Sequence, residues 1–420
     1  MKMPKKRTLA LLLVAVLALS FVLGACNNET GGGGGQASQA AQSSANTQAQ
    51  GGNTPAEEPI VVKWAALSSD DNPISILAHE FMDRIDERFP GRIEWQWFPN
   101  GALGGEREMV NAMVQGTLDA AVLGDLCLNW VDGTFPECEM TSVGFLYKST
   151  PACYALWEDN NREVAKYFDK KAKDMGCIIL AYTQVGGVDV GNRIREIRTL
   201  QDFKGLKIRH NESEYNAAYL KAMGANGVPM NGTEVYAALQ QGTIDGLTMS
   251  DFNFVFNKYI EINKFHSRTH HMYNTMNLDC SVEFFNKLPA DLQQGFLEVG
   301  LEIEQYCKNV MAPYMEEFII GSIEGAGVKY SYLTEDERMA LKQACVDAYY
   351  EEYRNPETTP FDPEFFAKVE KFMDEWTEEK EAEAEAAINA EYKKFLDANP
   401  GFTFHEGFTP KGEGFAYRGA

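Results

Sequence analysis

The sequence predicts an α/β protein of two lobes with a central cleft between them and a long helix that braces both. Three observations carry this reading. Residues 60–98 read as strand, helix, strand. The pentapeptide Gln115-Gly116-Thr117-Leu118-Asp119 returns 126 residues later as Gln241-Gly242-Thr243-Ile244-Asp245, each time after an amphipathic stretch and before an apolar run. Residues 291–319 hold Leu292, Phe296, Val299, Ile303, Cys307 and Val310 at helical spacing, over a length greater than one lobe needs.

The chain opens with a processing segment. Lys2, Lys5, Lys6 and Arg7 precede an apolar run over residues 9–23, and the run ends in Leu23-Gly24-Ala25-Cys26. A basic start, a short apolar stretch and small residues before a cleavage point make a secretory signal over residues 1–25. The tetrapeptide resembles a lipobox, in which the cysteine becomes the acylated first residue, and a diacylglycerol plus an acyl chain gives the multiple chains that firm anchoring needs. Cys26 is therefore the expected lipidation site, and the expected location is extracytoplasmic, on the cell membrane. Residues 26–59 are rich in Gly, Gln, Ser and Ala, beginning with five glycines at 31–35, and read as a flexible tether.

Composition bounds the partners. Four of the 38 basic residues lie in the leader, so the mature chain carries 34 against 61 acidic residues, a net charge of −27. Such a field excludes nucleic acid as a partner and repels anions, so an anion site needs a local cation. Beyond Cys26 the seven cysteines at 127, 138, 153, 177, 280, 307 and 345 include no C-x-x-C pair, and their pairing is not legible.

The elements follow in order. Residues 60–66 form the opening strand. Asn72-Pro73 starts a helix with Leu77, Ala78, Phe81 and Ile85 inward, and Pro90-Gly91 ends it before a second strand at 92–98. Gly101 to Gly105 then lead into a helix with Met109, Val110 and Met113 inward, and the run after Asp119 reads as a short buried strand. Residues 60–184 make the first lobe, completed by part of 276–420, and residues 185–275 the second, with strands near 206–209 and 227–230 flanking a helix at 213–223. Residues 290–420 supply the bracing helix and further helices. From Pro400 onward the chain is Gly- and aromatic-rich and shows no legible element.

No nucleophile elbow, phosphate loop, dinucleotide fingerprint or metalloprotease helix occurs, which argues against an enzyme and against a cofactor. His266 and His270 are four apart, but the stretch reads as a strand without a partner acid at zinc-binding spacing.

The segments Phe98-Pro99-Asn100-Gly101-Ala102-Leu103-Gly104-Gly105-Glu106-Arg107-Glu108, Gln115-Gly116-Thr117-Leu118-Asp119, Asp202-Phe203-Lys204-Gly205-Leu206-Lys207-Ile208-Arg209, Met223-Gly224-Ala225, Val228-Pro229-Met230 and Glu234-Val235-Tyr236-Ala237-Ala238-Leu239-Gln240 fall in a specific order. As a set they resemble the DctP-like solute-binding subunits of tripartite ATP-independent periplasmic (TRAP) transporters. The resemblance implies a periplasmic-binding-protein-like fold that closes on a carboxylate-bearing ligand and delivers it to integral membrane permease subunits. It also implies that Arg209, ending its strand, pairs with the ligand carboxylate, and a guanidinium fork suits that task.

Two departures shape the expected ligand. Relatives often carry a second arginine where this chain reads Gly187-Val188-Asp189, and a polar Glu-Asn-Pro where it reads Leu247-Thr248-Met249-Ser250. A pocket made more apolar by Met249, with Asp189 repelling a second carboxylate or, where it faces the ligand, receiving an amine or hydroxyl, favours a monocarboxylate with an apolar or amino-bearing body, such as a 2-oxo acid or amino acid, over a C4-dicarboxylate. Trp64, Trp130 and Phe145 are candidate pocket aromatics, although large aromatics more often complete a core. Asn211 and Asn216 follow Arg209 closely and orient it or cap the next helix. Asp251 is a lesser candidate. A ligand-sensing lipoprotein that signals to a membrane receptor, and an ABC-type binding protein, are the rival readings.

Overall fold

The structure is a computed structural model and describes residues 58–416; the leader, Cys26 and most of the tether lie outside the described residues. Eleven strands form two sheets. They are β1 (Ile60–Ala66), β2 (Ile93–Phe98), β3 (Ala120–Gly124), β4 (Cys177–Thr183), β5 (Val188–Asn192), β6 (Lys207–His210), β7 (Asn226–Pro229), β8 (Gly246–Ser250), β9 (Phe265–Met272), β10 (Met276–Ser281) and β11 (Lys329–Tyr332). The first sheet has the order β2-β1-β3-β10-β4 and the second β11-β9-β5-β8-β6-β7.

The two lobes share a topology. In the first, β1 lies parallel between β2 and β3, and β10 runs antiparallel to β3. In the second, β6 lies parallel between β7 and β8, and β5 runs antiparallel to β8. The repeated pentapeptide has the same structural duty in both. Gly116 (φ 68°) and Gly242 (φ 73°) end the helices Glu106–Val114 and Val235–Gln241 in the left-handed region that favours glycine. Asp119 then accepts the Lys63 backbone N–H at 2.9 Å, as Asp245 accepts that of Lys207 at 3.0 Å. Each carboxylate thus pins the strand flanked by two parallel neighbours to the turn beside it.

The chain passes between the sheets three times, from β4 to β5, from β9 back to β10, and from β10 on to β11. In the second of these, residues 273–275 leave one sheet before joining the other. These crossovers are the connections on which the lobes can turn.

The bracing helix runs as Ala290–Tyr306, a wider π turn at Cys307–Met311, and Ala312–Gly325. Its first part lies on β4, where a side chain at Gly300 would meet the Leu180 carbonyl oxygen at 1.8 Å. There Glu304 accepts the Tyr182 N–H and pairs with Arg162. Its last part serves the other sheet, with Glu316 holding Arg268 of β9. Helix Thr150–Asp174, capped by Ser149 with Pro151 in its first turn, covers the first sheet and bends at Asp159–Arg162.

The segment after the helix Glu378–Ala398 is ordered by its aromatics. Phe404 packs edge-on against Tyr314, and Phe408 against Phe318. All seven described cysteines are buried free thiols. Burial pushes their pKa values up, as for Cys307 and Cys345, each to about 12. No helix among the described residues is long and apolar enough to cross a membrane.

Candidate ligand-binding cleft

A cleft of about 900 Å³ lies between the lobes. The first lobe contributes the loop after β1 with Ser68, Ser69 and Asp71, together with Asn100, Glu106 and Gly124. The second contributes Arg209, Asn211, Asn216, Thr233, Thr248, Met249 and Ser250, and the stretch Phe256 to Tyr259. Val188, Asn274 and Met276, from the crossovers, form its back.

Arg209 lies near the end of β6, the strand that Asp245 pins at Lys207, and it is only 5% exposed. Nε and Nη2 both donate to the Met230 carbonyl, at 3.0 and 2.7 Å. These bonds hold the guanidinium plane without neutralising it. Burial lowers its pKa, and the nearby Tyr259, Glu106 and Glu212 oppose that shift. Glu106 is half-buried at the start of its helix on the opposite lobe. Desolvation raises its carboxyl pKa, while Arg209 and the Gly124 backbone pull it down. The cleft therefore offers a cationic fork from one lobe and a carboxylate from the other, within a wall of amides and hydroxyls.

The lobes touch on both edges of this cleft. On one, Arg107 reaches Glu212, and Ser213 donates to Glu139 at 2.6 Å. On the other, Asn72 donates to Asn253 at 3.1 Å.

Of the residues expected at the site, the structure brings together Arg209, Asn211, Asn216 and Met249. Asn216 donates to Asn211 at 2.5 Å, so this pair orders the loop behind Arg209. The other five lie elsewhere. Trp64 is fully buried among Phe81 and Trp95, in the first lobe's core. Phe145 packs on Tyr219. Trp130 stands outside the cleft lining, beneath the Arg107 guanidinium at 5.0 Å, and steadies that interlobe contact. Asp189 follows Val188 in β5, so its side chain takes the face opposite the cleft, whereas Asp251 opens the helix after β8 and turns its carboxylate inward to His266.

Both acids instead join a buried network. Asp251 accepts from His266 at 2.6 Å, and Asp189 accepts the His270 backbone N–H at 2.5 Å. Arg268 lies 3.6 Å from Asp251 and donates to His270 Nε2 at 2.6 Å. His266 loses some basicity to burial, but Asp251 above all pushes its pKa up to about 9. Burial and Asp251 push Asp189 up to about 7. Asp189, Asp251 and His270 bring ligand atoms within 4.8 Å of one another. A metal ion there would face the Arg268 guanidinium, which already uses the His270 ring nitrogen.

Sequence reasoning passed over Glu106, Ser68, Ser69, Asn100, Asn274 and Tyr259. The only signal for Glu106 was its place after the Gly101 to Gly105 turn, where a helix start points into the cleft. The serines and asparagines carry no pattern that separates a cleft lining from ordinary loop chemistry.

Two α/β lobes of matching topology, joined by three crossovers and opposing a buried arginine across a cleft, define an extracytoplasmic solute-binding protein. Residues 65–355 match the family model described as bacterial extracellular solute-binding protein, family 7, the DctP family. The chain belongs to that family. It is 32% identical over 284 residues to the 2,3-diketo-L-gulonate-binding periplasmic protein of Escherichia coli, covering 67% of this chain and 84% of that one. In fold it is similar to the sugar acid binding protein of Advenella mimigardefordensis in complex with galactonate, with a TM-score of 0.70, 20% identity, and coverage of 76% of this chain and 99% of that one. A TRAP periplasmic solute binding protein of Haemophilus influenzae with bound L-gulonate gives a TM-score of 0.68 at 23% identity, covering 74% and 99%.

Proposed function

We propose that the cleft captures a hydroxylated monocarboxylate of the sugar-acid class and that the loaded protein delivers it to a TRAP-type permease. The observation that carries this is the opposition of Arg209 and Glu106 across a cleft rich in amides and hydroxyls. A carboxylate pairs with the arginine, and ligand hydroxyls donate to Glu106 and exchange hydrogen bonds with Ser68, Asn100 and Asn274. A second ligand carboxylate would face Glu106. This lining favours a hydroxylated body over the apolar or amino-bearing one that Met249 and Asp189 suggested, and 2-oxo sugar acids satisfy both the expectation of a 2-oxo acid and the lining. The ligands named for the relatives support the same class. Calorimetric titration with L-gulonate, D-galactonate and 2,3-diketo-L-gulonate should show binding with succinate and leucine weaker; tight succinate binding with no sugar-acid binding would overturn the reading.

We infer also that the mature chain is held to the membrane through acylated Cys26. The support is the Leu23-Gly24-Ala25-Cys26 sequence after a basic and apolar leader. Cys26→Ser should move the protein from the membrane fraction to the soluble one, and unchanged retention would rule lipidation out.

A further inference from the structure

The strongest feature outside the family match lies in the last residues of the chain. The match ends at residue 355, whereas His405 stands against the rim of the cleft. Its ring is stacked on Phe318 at 4.2 Å and lies 5.1 Å from Phe256, and Nδ1 is 3.2 Å from the Tyr314 hydroxyl. The His405 backbone N–H donates to the same hydroxyl at 3.2 Å, and Thr403 shares it at 2.9 Å. All these partners belong to the second-lobe side: Phe256 ends the helix after β8, and the helix of Tyr314 and Phe318 carries Glu316, which holds Arg268 of β9. The remaining ring nitrogen, Nε2, lies 3.1 Å from the backbone carbonyl of Asp71, in the first lobe.

We propose that His405 is a positioning residue for ligand capture, acting through the loop that carries Ser68, Ser69 and Asp71 into the cleft. With the Tyr314 hydroxyl donating to Nδ1, Nε2 carries the proton and donates to the Asp71 carbonyl. The carboxyl-terminal segment then straps the first-lobe loop to the second lobe. The next residue, Asn72, bonds to Asn253, so two adjacent positions of the loop are tied across the same edge. A hinge opening that widens this edge must stretch both ties. A bond present with the lobes together and lost when they part favours the closed state, and a ligand bound between the lobes gains that preference as slower release. The proposal rests on the cleft reading above only for which ligand is used to probe it.

The test compares His405→Phe, which keeps the ring contacts with Phe318 and Phe256 but removes both nitrogens, with His405→Ala and wild type. Spin labels on cysteines introduced at the exposed positions Glu87 and Lys204 report the interlobe distance without any ligand. Both variants should shift that distribution toward longer distances, and with L-gulonate as probe both should raise the dissociation rate about three- to tenfold, the size expected for one hydrogen bond. His405→Phe should keep the ligand-free Tm near that of wild type. A wild-type distance distribution and release rate in His405→Phe would overturn the strap. If wild type itself fails to bind L-gulonate, the ligand reading is at fault, and the ligand-free distances still decide the role of His405.

Discussion

Arg107 of the first lobe and Glu212 of the second are joined by two hydrogen bonds, from Nε at 3.1 Å and Nη2 at 2.9 Å to a single carboxylate oxygen. The pair is 41% and 40% exposed, so water and salt screen it, and its stabilisation is at most about 1 kcal/mol. Its position at the cleft edge makes it a closing contact. Arg107→Ala and Glu212→Ala should each accelerate ligand release by about two- to fivefold at low ionic strength, with little difference at high salt. The charge-reversed pair Arg107→Glu with Glu212→Arg should recover part of the loss, measured by stopped-flow displacement.

Arg209→Ala should weaken sugar-acid binding by about 2 to 4 kcal/mol, the range for removing one partner of a desolvated charged pair. Arg209→Lys should lose most of the same affinity, because an ammonium cannot hold both the Met230 carbonyl and a carboxylate in one plane. Calorimetry measures both, and thermal unfolding without ligand should change far less.

Stability should fall as pH rises toward 9 in a way that depends on His266. Its folded pKa of about 9 lies above the ordinary 6.5, so the protonated ring binds Asp251 more strongly than it binds anything in the unfolded chain. That contribution is complete below about pH 6.5 and is lost as pH climbs through about 9. Urea denaturation at pH 7.5 and 9.5 should show the decline in wild type and a flatter dependence in His266→Asn.

Asp279 should act as a penalty that grows with pH. It is fully buried in β10 with neither carboxylate oxygen hydrogen-bonded, and burial, then Asp125, raises its pKa well above 3.8. The unfolded chain releases the proton near pH 3.8 and the folded chain does not, so stability drains away as pH rises above that value. Asp279→Asn should therefore be more stabilising, relative to wild type, at pH 7 than at pH 4, measured by Tm.

Gly300→Ala should destabilise the first lobe by about 3 kcal/mol or more, since the added carbon meets backbone and not a side chain that can turn aside. A lower urea midpoint with an unchanged slope would report it.

The fold was legible where local pattern and burial agree. The Asn72-Pro73 start, the repeated pentapeptide and the apolar spacing of residues 291–319 each express a backbone requirement that the sequence states directly. Arg209 lines the cleft, at the place where strand position and side-chain chemistry coincide in the sequence. Asp189 lies away from the cleft lining because its face of β5 is set by the phase of a two-residue alternation, which an error of one position inverts, and Asp251 because the chain turns into a helix there. Trp64 and Phe145 were illegible for another reason: an aromatic's chemistry is the same in a pocket wall and in a core. His405 was out of reach, since nothing local to residues 400–416 says that the chain comes back to Asp71, more than three hundred residues away.

The seven interior thiols bear on how the body is made. None can meet a thiol of another molecule without unfolding, and burial keeps each protonated and unreactive. Once folded, the body keeps these seven thiols out of reach of an external oxidant. Refolding yield after denaturation should be the same with and without reductant, provided the thiols stay reduced while the chain is unfolded.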